Sequence, residues 1–341
     1  MLRIEMLPAA QGDALFLEWG SPTQSYRGLI DGGPYYSYGA VRERMFRLPE
    51  DDRHLDLLVI THIDADHIEG ALRLLLDEKL NVTYGDIWFN DWNHLANDPN
   101  DMLGARHGEF VGALLDELDL PWNEAFGRGP AALQIDGEPR FLPVLPGGLE
   151  VTLLSPGPSQ LKALRKKWKK VLAREMFAVG DRAYALDQLR RRARYAPPED
   201  WLGSRRDSSV ANGSSLALLI EHDGHRALLA GDAFPEVLES SLSKLGSKVA
   251  VGAFKLSHHG SSSNTSRRLL ERLQVGCYLI STSGAHHNHP DPETLDLILA
   301  TSSEKPRVLF NYRGKNVGAW ERAAEEGRIE VEFSTRAVVE L

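Results

Sequence analysis

A chain of 341 residues can bury a sizeable core without crosslinks, and its single cysteine, Cys277, cannot form a disulfide within the chain. The formal net charge of −9 argues against a surface that is basic throughout, and no apolar run approaches the ~20 residues needed to span a bilayer. The first residues also lack the basic start and long apolar run of a signal peptide. We therefore predict a cytoplasmic protein with no membrane part, neither a disulfide scaffold nor a cysteine-rich metal module.

The first part of the chain predicts strands in a run, followed by a helix. Short strands separated by turn residues are predicted in LRIEMLP, ALFLEW and YRGLIDGG. The run LDLLVI is too apolar to alternate, as expected for a strand buried on both faces, and HIEGALRLLLDEK behind it has helical spacing. Next come a predicted strand in YGDIWFND, a helix in DMLGARHGEFVGALLDEL and a strand in LEVTLLSPGP.

The segment 159–209 predicts a helical, basic insertion between sheet strands. Residues 161–194 contain twelve Lys and Arg against three acidic residues. These charges fit either a solvated helical face or phosphate binding, and Lys166 and Lys167 are candidate contacts to a nucleic acid. Trp168 between them either anchors the helix to its own core or stacks on a base.

Strands and helices alternate behind the insertion. A hairpin with Asp223-Gly224 at its turn is followed by a helix over Pro235–Leu245 and a strand in VGAFKLS. Then come a helix near Ser266–Leu273, a strand in CYLIST, a helix from Pro292, and RVLFNY and RIEVEF as the final strands. This order predicts an α/β fold of two sheets with helices outside, as one domain over residues 1–341.

The stretch THIDADHIEG places His62, Asp64, Asp66 and His67 directly behind the LDLLVI strand. Unpaired, four ionisable groups at the rim of a core would be costly to desolvate, and one or two divalent cations are the simplest compensation. The alternative is a capped helix start, in which one aspartate accepts backbone N–H groups and the histidines are merely polar.

Polar residues end other apolar strands as well. Asp31 ends LIDGG, Asp232 ends LLAGD, and His258 with His259 ends KLSHHGS. Because the ends of neighbouring strands meet at one edge of a sheet, we expect these side chains to converge.

The polar run behind Gly260 has two interpretations. Ser261, Ser262 and Asn264 precede a predicted helix and could hold a phosphate with hydroxyl and backbone N–H groups, or cap the helix. The two roles are compatible, and we treat these residues as candidate substrate contacts.

In this order, LIDGG, THIDADHIEG, LLAGD and KLSHHGSSSN resemble the motifs of the metallo-β-lactamase-fold hydrolases. Within them, MLPAAQGDALFLE, NGSSLALLIE and HNHPDPETL resemble the hydrolase domain attached to the bacterial DNA-uptake competence channel. The resemblance spans most of the chain, without the channel. It implies a four-layer αββα sandwich and a metal-dependent hydrolase.

The resemblance also implies a ligand set. His62 would bind the first metal, with Asp64 where many members have a histidine. Asp66 and His67 would bind the second metal, and Asp232 would bridge both.

Three further positions follow from the same resemblance. His258 would complete the second site, although the sequence leaves the choice between His258 and His259 open. Asp31 would support the loop from behind. Pro158 stands where many members have a further histidine, so the first site would keep His62, Asp64 and Asp232.

Three histidines and three carboxylates make an oxygen-rich set. Such a set favours Mn²⁺, with Zn²⁺ or Mg²⁺ as alternatives. Two divalent cations would lower the pKa of a bound water and stabilise charge on a phosphoryl group, with Asp66 orienting the water. His289 or His259 would then serve the leaving oxygen as a proton donor or cationic partner.

The predicted function is a metal-dependent phosphodiesterase or nuclease acting on DNA or another nucleic acid. One alternative is hydrolysis of a small ester, lactone or thioester. The other is a partner-controlled subunit of a bacterial defence module, whose helical insertion docks another protein.

Overall fold

The computed structural model describes residues 1–21, 23–95, 105–174, 176–195, 209–285 and 288–341. Residue 175 and residues 196–208 of the predicted insertion lie outside the described residues. Within the described ranges, every helix is too short or too polar to cross a bilayer.

The first sheet has six strands in the order β14-β1-β2-β3-β4-β5. The strands β1 to β3 and β14 pair antiparallel, whereas β3, β4 and β5 run parallel. Their bounds are β1 Leu2–Met6, β2 Leu15–Ser21, β3 Gln24–Ile30, β4 His54–Val59, β5 Thr83–Trp88 and β14 Ala337–Glu340.

The second sheet has eight strands in the order β13-β12-β11-β10-β9-β8-β7-β6. The strands β9 to β13 run parallel, and β6 to β9 pair antiparallel. Their bounds are β6 Arg140–Phe141, β7 Glu150–Ser155, β8 Ala217–His222, β9 His225–Leu229, β10 Val249–Lys255, β11 Leu273–Ile280, β12 Arg307–Phe310 and β13 Glu330–Phe333.

Helices cover the outer face of each sheet. One apolar cluster lies between the two sheets, a second joins the first sheet to α1–α6, and a third joins the second sheet to α7–α10. The predicted four-layer αββα sandwich is therefore confirmed. The helices are α1 Tyr38–Phe46, α2 Ala65–Leu76, α3 Ala105–Glu117, α4 Pro158–Arg174, α5 Arg182–Tyr195, α6 Ser209–Gly213, α7 Pro235–Leu245, α8 Arg267–Glu271, α9 Pro292–Thr301 and α10 Gly318–Glu325.

Several elements differ from the sequence predictions. The last strand is β14, not RIEVEF, and it returns to the first sheet to pair with β1. The strand predicted as CYLIST begins earlier, at Leu273. Sequence reasoning missed α1, although its buried residues Tyr38, Val41 and Met45 have helical spacing. It also missed α10 and the two-residue strand β6.

Trp168 anchors the predicted insertion to the layer of helices beside it. Its side chain is fully buried, and its indole Nε1 donates to Glu109 Oε1 at 3.0 Å. The backbone N–H of Gly180, in the turn before α5, donates to Glu109 Oε2 at 3.0 Å. One buried carboxylate on α3 therefore holds α4 and the turn together, and Trp168 packs in the core, where it cannot stack on a base.

Glu109 predicts a specific pH dependence of stability. Burial raises its pKa from 4.5 to about 7, against the lowering effect of its hydrogen bonds to Gly180 and Trp168. Because the folded protein holds this proton more tightly, the stability that protonated Glu109 contributes is complete below pH 4.5 and is lost as the pH rises through about 7.

We expect the unfolding free energy of the wild type, relative to Glu109→Gln, to fall by about 2 kcal/mol between about pH 5.5 and about pH 8. Urea unfolding of the metal-free proteins at several pH values measures this difference. Parallel pH profiles for the two proteins would contradict it.

Candidate metal centre

The centre lies where strand ends of the two sheets meet. The strands β3 and β4 are parallel neighbours in the first sheet, and β9 and β10 are parallel neighbours in the second. The backbone N–H of Leu216 donates to the Thr61 carbonyl at 3.0 Å, and that of His258 donates to the Gly231 carbonyl at 3.0 Å. These bonds tie the ligand-bearing loops to one another.

Asp232 is the hub of the cluster. Its Oδ2 lies 3.5 Å from His67 Nε2, 3.7 Å from His62 Nε2 and 3.8 Å from His258 Nε2. His62 Nε2 also lies 3.7 Å from Asp64 Oδ2. These separations are longer than a hydrogen bond. They are close to the distance of ~3–3.5 Å between two ligand atoms that each lie ~2.1 Å from one shared cation.

A second group adjoins the first through His67. Nitrogen or oxygen atoms of Asp66, His67 and His259 all lie within 4.8 Å of one another. His259 Nε2 is 3.8 Å from Asp66 Oδ2. The contacts therefore favour His259 over His258 as the partner of Asp66 and His67, the reverse of the order implied by the family resemblance.

Each histidine of the cluster has an Nδ1 partner. His67 Nδ1 donates to Asp31 Oδ2 at 2.7 Å, and His62 Nδ1 contacts Thr61 Oγ1 at 3.0 Å. His258 Nδ1 donates to the side-chain oxygen Oδ1 of Asn264 at 3.0 Å. His259 Nδ1 donates to the backbone carbonyl of Ser281 at 2.9 Å. Since Nδ1 is engaged in these bonds, Nε2 is the nitrogen that faces the carboxylates and that would bind a metal once deprotonated.

The buried atoms of the cluster fit a cation. Among the described residues, His67 Nε2, His259 Nε2 and Asp232 Oδ1 are buried without a hydrogen bond. Each such atom costs ~1–3 kcal/mol in a folded protein, and their concentration at one point is explained if a cation satisfies them together. Asp64, at the N-cap of α2, makes no side-chain capping bond, so the predicted alternative of a simple capped helix is not supported at that residue.

The pKa values of the cluster show how strongly its charges are coupled. Burial alone would lower the pKa of His67, but Asp232 and Asp31 raise it well above its ordinary value. Burial would raise the pKa of Asp232, but His67, His258 and His259 hold it well below. Without a cation, the protonated histidines and the ionised carboxylates stabilise one another.

Asp31 lies behind the loop, where the resemblance places it. Besides His67, its carboxylate accepts bonds from the Thr61 N–H and hydroxyl, both at 2.7 Å. Asp31 itself has a φ of 60°, in the left-handed region. Burial raises its pKa, against the lowering effect of His67 and Thr61.

His289 lies beside this cluster and has its own carboxylate. Its Nδ1 donates to Asp291 Oδ1 at 2.7 Å, and its ring centroid is 5.0 Å from that of His258. Burial, with the neighbouring charges of His258 and His259, lowers the pKa of His289, although Asp291 raises it. Sequence reasoning missed Asp291, for which the spacing His-Pro-Asp was the available signal.

The predicted phosphate-binding serines and asparagine already have partners. Ser261 Oγ accepts a bond from Ser263 N at 3.3 Å, and Ser262 donates to Asp291 through its hydroxyl at 2.8 Å and its N–H at 2.9 Å. Asn264 Nδ2 donates to the Asp232 carbonyl at 3.0 Å. These contacts favour a role in shaping the loop over direct contact with a substrate.

The two predicted lysine contacts differ from each other. Lys166 is exposed on α4, whereas Lys167 is half-buried and interacts with other groups of the protein. Of the two, Lys166 is better placed to meet a ligand from solvent.

Comparison with known proteins gives one curated relative. No family model matches the chain. ComE operon protein 3 of Bacillus subtilis (strain 168) is 24% identical over 332 residues, which are 92% of this chain and 33% of that protein. The chain therefore spans about a third of the length of its curated relative. The predicted resemblance to the competence-channel hydrolase is confirmed by this similarity.

Solved structures give fold likenesses of low sequence identity. Human tRNase Z, short form, has 11% identity and a TM-score of 0.44, with 100% of this chain and 99% of that chain covered. Zn²⁺-bound PqqB from Methylobacterium extorquens has 13% identity and a TM-score of 0.45, with both chains fully covered. By its layers, strand order and motif order, the chain has the metallo-β-lactamase fold.

Proposed function

We propose that this chain is a metal-dependent hydrolase of phosphodiester bonds, with a nucleic acid as its substrate. The convergence of histidine Nε2 and carboxylate oxygen atoms on Asp232, several of them buried without a hydrogen bond, carries the proposal. The similarity to ComE operon protein 3 and the oxygen-rich donor set support it.

The residues divide into two overlapping sites in this proposal. His62, Asp64 and Asp232 hold the first cation. Asp66, His67, Asp232 and His259 hold the second, with His258 beside Asp232 on the more exposed side. Mn²⁺ is the proposed metal because carboxylates supply half of the six donors in these sites.

The chemistry that the cations supply, when bound, is a water of lowered pKa and stabilisation of charge on the phosphoryl oxygens. Asp66, on the first turn of α2, holds the attacking water in position. His289, oriented by Asp291, delivers a proton to the leaving oxygen from its protonated form, whose Nε2–H takes no part in the Asp291 bond.

Hydrolysis of a phosphodiester, compared with hydrolysis of a lactone and a thioester, tests the reaction class. Metal-free protein is given Mn²⁺, Mg²⁺ or Zn²⁺ and assayed on bis(p-nitrophenyl) phosphate, on a lactone and on a thioester, beside an Asp66→Ala/His67→Ala variant. Phosphodiester cleavage that requires metal and is lost in the variant supports the proposal. Cleavage of the lactone or thioester in its place assigns the chain to the small-ester alternative.

The outer face of α4 is the proposed contact for the nucleic acid backbone. Lys162, Lys166 and Lys169 are exposed at spacings of four and three residues and therefore form one row along the helix. The apolar side of α4, including Trp168, packs in the core. The exposed face of α4 is therefore positively charged. This charge favours binding of a phosphate backbone over binding of a protein with an apolar surface.

Replacing Lys162, Lys166 and Lys169 by Gln is expected to weaken binding of single-stranded DNA and to reduce the slope of log K against log salt by about 2. Fluorescence anisotropy of the metal-free protein at several salt concentrations measures the slope. The matched control replaces the exposed Lys79, Lys248 and Lys315 by Gln. Equal slopes for the two variants would show that the row on α4 has no special role.

A further inference from the structure

Lys255 is a buried cation directly before the two adjacent histidines. It is the last residue of β10, and its side chain is fully buried. Its Nζ donates to Asp13 Oδ2 at 2.7 Å and to the Leu256 carbonyl at 3.0 Å. Because burying an ammonium group is costly unless it is paired, its presence in the middle of the sandwich calls for an explanation.

The second oxygen of Asp13 faces the metal cluster. Asp13 Oδ1 lies 3.4 Å from His259 Nδ1, whose hydrogen bond goes to the Ser281 carbonyl at 2.9 Å. Asp13 therefore stands behind His259 as Asp31 stands behind His67, but at a longer distance. Unlike Asp31, Asp13 has its other carboxylate oxygen bound to a lysine ammonium, at 2.7 Å.

The turn that carries Asp13 also contacts the other side of the second site. The N–H of Asp13 donates to the Asp66 carbonyl at 3.3 Å, and Ser281 Oγ donates to the Gly12 carbonyl at 2.9 Å. A Cβ on Gly12 would lie 1.8 Å from the Asp66 oxygen, so this approach requires glycine. One turn thus links the start of α2, which carries Asp66, to Ser281, whose carbonyl accepts the bond from His259.

The chain leaving β10 also needs support. His258 and His259 have φ values of 46° and 57°, both in the left-handed region that non-glycine residues seldom adopt. Such strained residues persist where their surroundings fix them. The bonds of Lys255 to Asp13 and to the Leu256 carbonyl fix the start of this segment.

We propose that Asp13 and Lys255 are positioning residues for the second cation, and that their ion pair sets the orientation of His259 toward Asp66 and His67. Without Lys255, the Asp13 carboxylate would turn to its nearest donor, His259 Nδ1, and draw the ring away from the Ser281 carbonyl. The inference rests on the metal assignment of the proposed function and is independent of the substrate.

Mn²⁺ titration of the metal-free protein, followed by electron paramagnetic resonance and without substrate, tests the inference. Lys255→Met and Asp13→Asn/Lys255→Met are expected to bind the first equivalent as the wild type does and the second about 10–100-fold more weakly. The double variant removes both charges together, so it leaves no unpaired buried charge if Lys255→Met alone fails to fold.

A second buried ion pair is the matched control. Arg44 Nε lies 2.9 Å from Glu5 Oε2, and both side chains are buried. Glu5→Gln/Arg44→Met should lower the thermal unfolding midpoint without changing either metal affinity.

The outcomes separate this inference from the proposed function. An unchanged second affinity in a folded Asp13→Asn/Lys255→Met protein would overturn the inference, as would equal weakening in the Glu5/Arg44 control. A wild type that binds fewer than two equivalents would instead overturn the metal assignment.

Discussion

Asp232→Asn is expected to lower phosphodiester hydrolysis by more than about a thousandfold and to abolish tight binding of two cations. Asp232 Oδ2 is the atom around which the Nε2 atoms of His62, His67 and His258 gather. An amide in its place has neither the negative charge nor the second anionic oxygen needed to bridge two metals. Both sites should therefore weaken together.

The measurement is kcat/KM for bis(p-nitrophenyl) phosphate at saturating Mn²⁺, with the metal content of each protein determined in parallel. The control is Asp223→Asn, which makes the same change on an exposed carboxylate at the β8–β9 turn. An Asp232→Asn protein that keeps two equivalents of Mn²⁺ and near wild-type turnover would refute the bridging role.

His289→Ala should produce a loss that depends on the leaving group. Hydrolysis of a DNA phosphodiester expels an alkoxide, which needs a proton, whereas p-nitrophenolate leaves without one. We therefore expect a loss of about 10²-fold or more on single-stranded DNA and only a few-fold loss on bis(p-nitrophenyl) phosphate. Asp291→Asn should show the same selectivity to a smaller extent, since it disturbs the 2.7 Å bond that orients the ring.

The rates on single-stranded DNA and on bis(p-nitrophenyl) phosphate are measured for the same protein preparation. The loss on DNA divided by the loss on bis(p-nitrophenyl) phosphate is the quantity that tests the prediction. His225→Ala, which changes an exposed histidine at the start of β9, is the matched control. Equal losses on the two substrates would mean that His289 shapes the site without delivering a proton.

Local pattern predicted the central elements of the fold well. The mainly apolar run LDLLVI became the buried strand β4, and the helical spacing behind it became α2, because neighbouring residues alone indicate both burial and periodicity. The strand β14 was missed because a short edge strand is defined by its partner. That partner, β1, lies at the opposite end of the chain.

The residues of the site also differ in whether the sequence alone could indicate them. His62, Asp64, Asp66 and His67 were visible because one loop holds them all. The choice between His258 and His259 depends on two left-handed backbone conformations, which residue type does not indicate. Asp13 and Lys255 are 242 residues apart in sequence, so their pairing could be found only in the folded protein.

The most direct test of the account is a titration of metal-free protein with Mn²⁺ while cleavage of single-stranded DNA is followed. We predict that cleavage appears with bound metal, reaches its maximum at two equivalents per chain, and is absent from the Asp66→Ala/His67→Ala variant. A wild type that binds two equivalents and cleaves neither DNA nor bis(p-nitrophenyl) phosphate would contradict the proposed phosphodiesterase.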